Sequence, residues 1–209
     1  GNALQVFQEV LQSMHVVAKQ VTVTFRMVQG LEARRVWQVV PLIKEMGAQT
    51  IQGRSVVIPV GDLERGGAAY LVEMMLPPRP EGAVRIAQVD ASYDLPQSGT
   101  QREAVDLVVN FTHDPVQAAT LNGHVMNIVE KVTAFRLQTQ ALREAEQGNI
   151  AGATQRLRQA VTMLINQGEN ELAQQMEQEA RNLEQGKGIS GDGAKTIRLT
   201  SRKTVRLDE

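Results

Sequence analysis

Hydrophobic and polar residues alternate along the first half of the chain, beginning near Lys19. Val21, Val23, Phe25 and Met27 share one parity, and polar residues stand between them. Successive side chains of a strand point to opposite faces of a sheet, so this period of two predicts a half-buried β-strand. We expect it to be the first strand of a sheet-rich unit.

A pair of apolar runs around a Gly-rich turn is the strongest local signal in the chain. Residues 56–60 lead into the turn at 61–67, and residues 68–76 return from it to Pro77-Pro78. Runs of strand length bounded by Gly, Asp and Pro predict a β-hairpin. Loops on a rigid scaffold often bind partners, although a solvated loop tip is the simpler interpretation. The candidate partner-binding residues of this turn are Asp62, Glu64 and Arg65.

Shorter patterns complete the sheet-rich unit, which we place at residues 19–113. Residues 36–40 and 50–54 predict two further strands, and residues 105–111 alternate cleanly as the last one. The apolar parity of residues 83–95 changes partway, as a β-bulge would produce. Six or seven short strands with no helical pattern between them predict an antiparallel β-sandwich.

The period changes to 3.6 after Asp114-Pro115, a pair suited to the start of a helix. Three segments with apolar residues at helical spacing follow, and they end at Gly148, Gly168 and Gly186. Connections this short force neighbouring helices to run antiparallel. Residues 114–186 therefore predict a three-helix antiparallel bundle.

The first of these helices would cover about 33 residues if it were continuous, with Gly123 as the position of a break. Its apolar residues are spaced by four and three, which places them along one face of the helix. This stripe consists of Leu121, Val125, Ile128, Val132, Phe135, Thr139 and Leu142.

Both ends of the chain carry patterns of their own. Residues 1–18 have apolar residues at helical spacing and predict a terminal helix. Residues 187–209 begin as a Gly-rich flexible linker and continue as a tail in which Ile197, Leu199, Val205 and Leu207 share one parity, which predicts a β-strand. Six Lys or Arg against three Asp or Glu give that segment a local charge of +3, which favours a solvated strand face over an anion-binding tail. We expect this basic tail to pair with an open sheet edge.

Composition narrows the classes of function. The chain has 209 residues, a net charge of -1, 3% aromatic residues and no cysteine. Few aromatics and no net positive charge argue against nucleic acid as a partner, and the lack of cysteine excludes thiolate metal sites and cysteine nucleophiles. No apolar run approaches the length of a membrane span. We expect a soluble protein, and the compartment stays open with the cytoplasm slightly favoured.

Motifs that would carry chemistry are incomplete. His15, His113 and His124 form no pair at metal-ligand spacing. Residues 188–196 are similar to a phosphate-binding loop, but Ala194 stands between the second Gly and the Lys that must follow it directly. We predict no catalytic, cofactor-binding or metal-binding residue on this chain.

One further segment is similar to the D-x-S-x-S start of a metal-ion-dependent adhesion site, in which a carboxylate and hydroxyls bind Mg²⁺ from a loop. It is Asp90-Ala91-Ser92-Tyr93-Asp94, where Asp94 replaces the second Ser. The alternation around it predicts a strand instead of a loop. We therefore interpret this segment as strand.

The order of the parts resembles the region that follows the von Willebrand factor A (VWA) domain in a group of bacterial proteins. The short motifs that carry this resemblance extend over nearly the whole chain, at residues 7–11, 58–63, 147–153 and 202–205. The resemblance implies that the terminal helix at residues 1–18 is the last helix of a preceding A domain. It also implies that Mg²⁺ binds in that domain and that none of its ligands lies on this chain.

The sequence thus predicts an α+β protein with a β-sandwich, a three-helix antiparallel bundle and a C-terminal β tail. We expect a non-catalytic module that positions its own A domain and offers surfaces to protein partners, with homodimerisation through an open sheet edge as a further mode of association. Two alternatives stay open. One is an independent helical scaffold of the tetratricopeptide type, because residues 148–153 resemble the turn of such hairpins. The other is an enzyme with a pair of carboxylates.

Overall fold

Within its described part, the alternating half of the chain folds into eight strands. The computed structural model describes residues 16–95 and 98–200. The bounds of the strands are Val16–Met27 (β1), Glu32–Val40 (β2), Lys44–Glu45 (β3), Ile51–Gln52 (β4), Ser55–Glu64 (β5), Ala69–Met75 (β6), Gly82–Leu95 (β7) and Gly99–Phe111 (β8).

These strands form two sheets, one of five strands in the order β4-β5-β1-β7-β8 and one of three in the order β3-β2-β6. Neighbouring strands of the larger sheet run antiparallel. Thr24 of β1 lies opposite Val57 of β5 on one side and Asp90 of β7 on the other. The prediction of an α+β protein whose first half is built from antiparallel sheets is confirmed.

The predicted hairpin between β5 and β6 is wrong. Both strands exist, but β5 pairs with β4 and β1, whereas β6 lies beside β2 in the other sheet. The connection is a turn in which the amide of Gly67 donates to the carbonyl of Glu64 at 2.9 Å. Alternation defines the two faces of a strand, but it does not identify the neighbour that satisfies its backbone groups.

The bulge predicted in β7 is confirmed. Arg85 lies opposite Val108 of β8 and Ala87 lies opposite Leu107, so Ile86 is an extra residue on β7. Ile86 and Ala87 are consecutive and both buried, at 3% and 0% exposure. A bulge permits this because it shifts the side-chain alternation of one strand by one residue.

Side chains of both sheets share one hydrophobic cluster. Val56 and Ile58 of β5 lie in it without exposed surface, and Val36 of β2 is 1% exposed. Partly buried residues of β6 pack against the same cluster. Residues of β2, β5 and β6 therefore contribute to one hydrophobic core.

The chain divides into two compact units, and the division differs from the predicted boundary at residue 113. Within the described residues, the first unit contains 16–36, 45–95 and 98–120, and the second contains 37–44 and 121–200. The strand predicted at residues 36–40 exists, but from Trp37 onward it belongs to the helical unit. Trp37 and Ile43 are buried, at 2% and 0% exposure.

The second half of the described chain is helical. The helices are Pro115–Ala118 (α1), Gly123–Glu146 (α2), Ile150–Asn166 (α3), Asn170–Glu184 (α4) and Gly191–Lys195 (α5). A π-helical turn, Thr196–Thr200, follows α5, and a single 3-10 turn, Ala48–Thr50, lies between β3 and β4.

The long first helix is interrupted before Gly123. The carboxylate of Asp114 accepts from the amide of Val116 at 2.8 Å and caps α1, as the sequence predicts. That helix ends after one turn, and the Asn122 side chain caps α2 by accepting from the amide of Val125 at 3.1 Å. The predicted apolar stripe is correspondingly buried only in its later part, and Leu121 at its start is 65% exposed.

Three long helices, α2, α3 and α4, form the body of the helical unit. Glu144 near the end of α2 pairs with Arg156 near the start of α3, at 2.6 Å. Arg158 of α3 pairs with Glu184 at the end of α4, at 2.7 Å. Both ion pairs join consecutive helices, and α3 packs on both of the others. Their shared core includes Leu157, which has no exposed surface.

The C-terminal segment differs from its prediction over the described residues. Ser190 caps α5, its hydroxyl donates to Glu179 at 2.5 Å, and its amide donates to the same carboxylate at 2.7 Å. Ile197, predicted in a strand, is 1% exposed in the π-helical turn and packs in the helical core. The flexible linker and the strand predicted there are therefore wrong, because local capping and burial of Ile197 favour helix. Val205 and Leu207 lie outside the described residues.

The predicted terminal helix at residues 1–18 overlaps the described residues at 16–18. Residues 1–15 of the predicted terminal helix lie outside the described residues. Residues 16–18, which were included in that helix, belong to strand β1. Ala18 is buried in the sheet unit and lies opposite Leu63 of β5.

The contact between Glu179 and α5 gives a test of the C-terminal correction. A Cβ at Gly193 would lie 2.3 Å from the carboxyl carbon of Glu179, whereas a Cβ at Gly191 would meet nothing within 4 Å. We expect Gly193→Ala to lower the free energy of unfolding by about 1–3 kcal/mol through overpacking, measured by urea denaturation. Gly191→Ala is the matched control, with an expected change of at most about 1 kcal/mol. Equal effects of the two substitutions would contradict this packing.

Candidate functional site

Asp90 is the one buried charged residue among the described residues of the two sheets. It lies near the middle of β7, opposite Thr24 of β1 and Ala104 of β8. Its side chain points to the polar face of the larger sheet, and 7% of that side chain is exposed. A carboxylate in such a place requires partners, because burial of an unpaired charge is costly.

Two arginines from the neighbouring strands supply these partners. Arg102 of β8 donates to Oδ1 of Asp90 from Nη2 at 2.9 Å and from Nε at 3.2 Å. Arg26 of β1 donates from Nη1 to Oδ2. The side chains of Arg26 and Arg102 are 48% and 61% exposed. We call these three residues the Asp90 cluster.

The cluster keeps Asp90 ionised. Burial of the carboxylate raises the pKa of Asp90, but the hydrogen bonds from Arg102 and Arg26 and their positive charges outweigh burial. The pKa of Asp90 therefore lies below its ordinary value. A carboxylate with a lowered pKa is a poor general acid, and both of its oxygens already accept from guanidinium groups.

The segment that is similar to an adhesion-site motif forms part of a strand, as predicted. Residues 90–94 lie within β7, and Ser92 is opposite Arg102 of β8. Tyr93 points to the other face, where its hydroxyl donates to Glu103 at 3.0 Å. That hydrogen bond, together with burial and the charge of Glu103, raises the pKa of Tyr93. Within residues 16–95 and 98–200, no group of three or more His, Cys, Asp or Glu could hold a metal ion.

The candidate partner-binding residues lie at the far end of β5. The carboxylate of Asp62 accepts from the amide of Gln20 at 3.2 Å, where the pairing of β1 with β5 is bulged. Gln20 has a positive φ of 52°, an uncommon conformation for this residue type. Glu64 and Arg65 are exposed at the turn that leaves the strand. Asp62 thus has a structural contact, and the other two are accessible to a partner.

The helical turn near Gly148 contains a cluster that the sequence reasoning did not identify. The Asn149 side chain accepts from the amide of Gly152 at 3.1 Å, and Glu144 pairs with Arg156 across the turn. A Cβ at Gly152 would lie 2.3 Å from Oε2 of Glu144. Close packing therefore explains Gly152, whereas Gly148 has a positive φ of 81° and no atom near an added Cβ. The spacing of Asn149 and Gly152, three residues apart at a helix start, was the available signal.

Two open grooves run along the α3–α4 pair, with volumes of about 610 and 870 Å³. Ile165, which is 54% exposed, lines the first groove with Ala173. Thr154 lines the second, and its buried hydroxyl has no hydrogen-bond partner within the described chain. These grooves are two concave surfaces of the helical unit.

Known proteins of similar sequence or fold exist for parts or nearly all of this chain. Residues 123–207 match a family described as the Sll0103-like, C-terminal alpha-helical domain. Among solved structures, the chain is similar to a von Willebrand factor type A protein from Catenulispora acidiphila, with 17% identity and a TM-score of 0.71, over 97% of this chain and 50% of that chain. It is also similar to the ArnB paralog VWA2 from Sulfolobus acidocaldarius, with 15% identity and a TM-score of 0.50, over 90% of this chain and 42% of that chain. Among curated proteins, no sequence matches this chain.

These similarities concern the fold. The chain spans half or less of the length of the two solved structures. The fold of the chain is thus similar to that of proteins titled as von Willebrand factor type A or VWA2. That the chain follows an A domain stays a prediction. In the part of the chain that the structure describes, no helix is long and apolar enough to cross a membrane.

Removing the charge of Asp90 tests the cluster. We expect Asp90→Asn to lower the thermal midpoint at about pH 7, because the variant leaves Arg26 and Arg102 without their anion. Since the folded-state pKa is depressed, the stabilisation is complete above the ordinary Asp pKa of about 4 and is lost as the pH falls through the folded-state value. The difference in midpoint between wild type and variant should therefore shrink below about pH 4.

Glu45→Gln is the matched control for that experiment. The side chain of Glu45 is 52% exposed, and its carboxylate lies 3.9 Å from Nε of Arg35. Exposed pairs of this kind contribute about 0–1 kcal/mol, so we expect little change in the midpoint. A difference between wild type and Asp90→Asn that persists unchanged into acid would contradict the assignment of Asp90 as a paired carboxylate.

Proposed function

We propose that this chain is a non-catalytic module that accompanies a VWA domain in a longer protein, positions that domain and offers surfaces to protein partners. The observation that carries the proposal is the extent of the structural likeness. It covers 97% of this chain but only 50% of a protein titled as von Willebrand factor type A. The other half of such a protein has room for a separate domain, and we assign the A domain to it.

The chemistry of the described residues supports this division. A metal site of the D-x-S-x-S type needs a carboxylate on a loop that is free to bind Mg²⁺. Here the matching Asp90 lies within a strand, and both of its oxygens accept from arginines. The Mg²⁺ site of the longer protein, in our proposal, belongs to the A domain, and this chain carries no cofactor.

We further propose that the two sheets pack face to face as a β-sandwich and that α2, α3 and α4 act as one three-helix unit. Residues of both sheets contribute to a common hydrophobic cluster, which is typical of two sheets with their apolar faces together. The helical cluster draws on α2, α3 and α4 in the same way. Two rigid units of this kind are suited to holding a neighbouring domain.

The enzyme alternative receives no support from the buried acids. Asp90 is bound by two arginines, and Glu179 accepts from the hydroxyl and amide of Ser190. Each of these carboxylates belongs to a local structural contact. An acid-base mechanism would require a carboxylate with access to substrate and a pKa matched to its task.

An independent helical scaffold is the second candidate function, and the helical turns favour it. The amide of Asn149 donates to the carbonyl of Glu144 at 2.8 Å, and the amide of Glu169 donates to that of Leu164 at 2.9 Å. The turns α2–α3 and α3–α4 are thus built alike, with a left-handed Gly in each. Stable helical arrays need about three repeats, which is more than these helices supply.

Partner capture by the longer protein that includes the A domain separates the two candidates. Replacing Asp62, Glu64 and Arg65 together by Ala should weaken capture about tenfold if the sheet unit binds the partner. Ile165→Glu, in the groove between α3 and α4, is the comparison variant and should have little effect. Loss of capture with Ile165→Glu alone would favour the helical scaffold instead.

Calorimetric titration with Mg²⁺ tests whether the metal site lies in the A domain and not on this chain. We expect no saturable binding to this 209-residue chain, because its described carboxylates form no metal-binding group. The longer protein should bind Mg²⁺ through its A domain. Saturable binding to the chain alone would overturn the proposal that the metal site lies elsewhere.

A further inference from the structure

Strand β8 is a long open edge. It is the last strand of the five-stranded sheet and pairs only with β7 among the described strands. It spans Gly99–Phe111, and none of its residues is buried. Along such an edge, alternate backbone amides and carbonyls point away from the sheet and are free to pair with another strand.

Two opposite charges of β8, on Arg102 and Asp106, lie symmetrically about Ala104. Arg102 lies two residues before it and Asp106 two residues after it, on the same face of the strand. Arg102 uses Nε and Nη2 on Asp90, which leaves donors of its guanidinium unused. Asp106 is held only loosely by Arg85, at 3.4 Å. Both side chains are therefore able to bind an additional partner.

We propose that β8 pairs antiparallel with β8 of a second copy of this chain, with the two Ala104 residues opposite each other. In this register Arg102 of each copy faces Asp106 of the other. A two-fold axis perpendicular to the sheet relates the copies, so each face of one sheet continues into the same face of the other. The proposal depends on strand pairing and not on the function proposed above.

Other registers lack this complementarity. Centring the pair on Arg102, Glu103 or Asp106 places like charges directly opposite each other, which destabilises an antiparallel pair. Centring it on Val105 places Arg102 opposite Val108 and Asp106 opposite Ala104. Only the register centred on Ala104 opposes opposite charges on both sides of the axis.

The geometry also limits the assembly to two copies. The other edge strand of this sheet, Ile51–Gln52, has only two residues. A dimer through β8 leaves no second long edge in that sheet from which it could extend further. A single strand pairing buries less surface than the roughly 1,200 Å² of stable complexes, so we expect a dimer that dissociates on dilution.

Sedimentation of the full chain tests the association. We expect a reversible dimer of twice the 23.0 kDa chain mass. Asp106→Arg places Arg opposite Arg in the dimer and should weaken association at least about tenfold. Glu32→Arg makes a comparable charge change on an exposed residue of the other sheet and should leave association unchanged. A chain that is monomeric at every concentration, or a dimer equally sensitive to both variants, would overturn the proposal.

Cross-linking tests the register, because the chain has no cysteine of its own. Ala104→Cys places two thiols across the two-fold axis, at the separation of directly opposed residues, and should form a disulfide-linked dimer under mild oxidation. Val108→Cys is the matched control: it lies on the same face and is 52% exposed, but in this register it faces Thr100. It should cross-link only when mixed with Thr100→Cys. Cross-linking of Val108→Cys alone as readily as Ala104→Cys would overturn the register.

Discussion

Strand β1 is hydrogen-bonded along both of its edges, and the larger sheet depends on this double pairing. From Thr22 to Arg26 it pairs with β5 on one side and β7 on the other. Every buried amide and carbonyl of a strand must find a partner, and a central strand meets this requirement through its neighbours. The order of the sheet follows, because β4 and β8 can then join only at the outside.

The same pairing explains where charged side chains lie. Arg26 on β1 and Arg102 on β8 reach Asp90 on the strand between them, so a buried carboxylate has a partner on each side. At the far end of β1 the regular pairing ends in a bulge near Gln20 and Gly61, and both of these residues have positive φ. Asp62 contacts the bulge through the amide of Gln20. The polar face of the sheet is thus held by contacts between strands that are distant in sequence.

The helical unit has short turns between packed helices, whereas the sheets depend on backbone pairing between distant strands. Gly148 and Gly168 adopt left-handed conformations and allow the chain to reverse within three residues. Ala153 and Ala160 on α3 are fully buried, and such small side chains let neighbouring helices approach closely. After α4, the amide of Ser190 donates to the carboxylate of Glu179 and not to a backbone carbonyl. One side chain of α4 therefore holds the Gly-rich segment that follows the helix. A Gly-rich composition is therefore compatible with a defined structure when a capping group is in reach.

Local patterns predict the type of most elements: alternation identifies β1, β7 and β8 and a bulge within β7, and Asp114, Gly148 and Gly168 mark helix ends. These features are local, since they depend on side chains within a few residues of one another. Tertiary contacts determine which strands pair. They place β5 and β6 in different sheets, although an apolar run on each side of a turn favoured a hairpin. They also determine that Ile197 is buried in a helical turn and that Asp90 lies between two arginines. These outcomes depend on contacts between residues far apart in the chain, and a single sequence holds no signal for the register that brings them together.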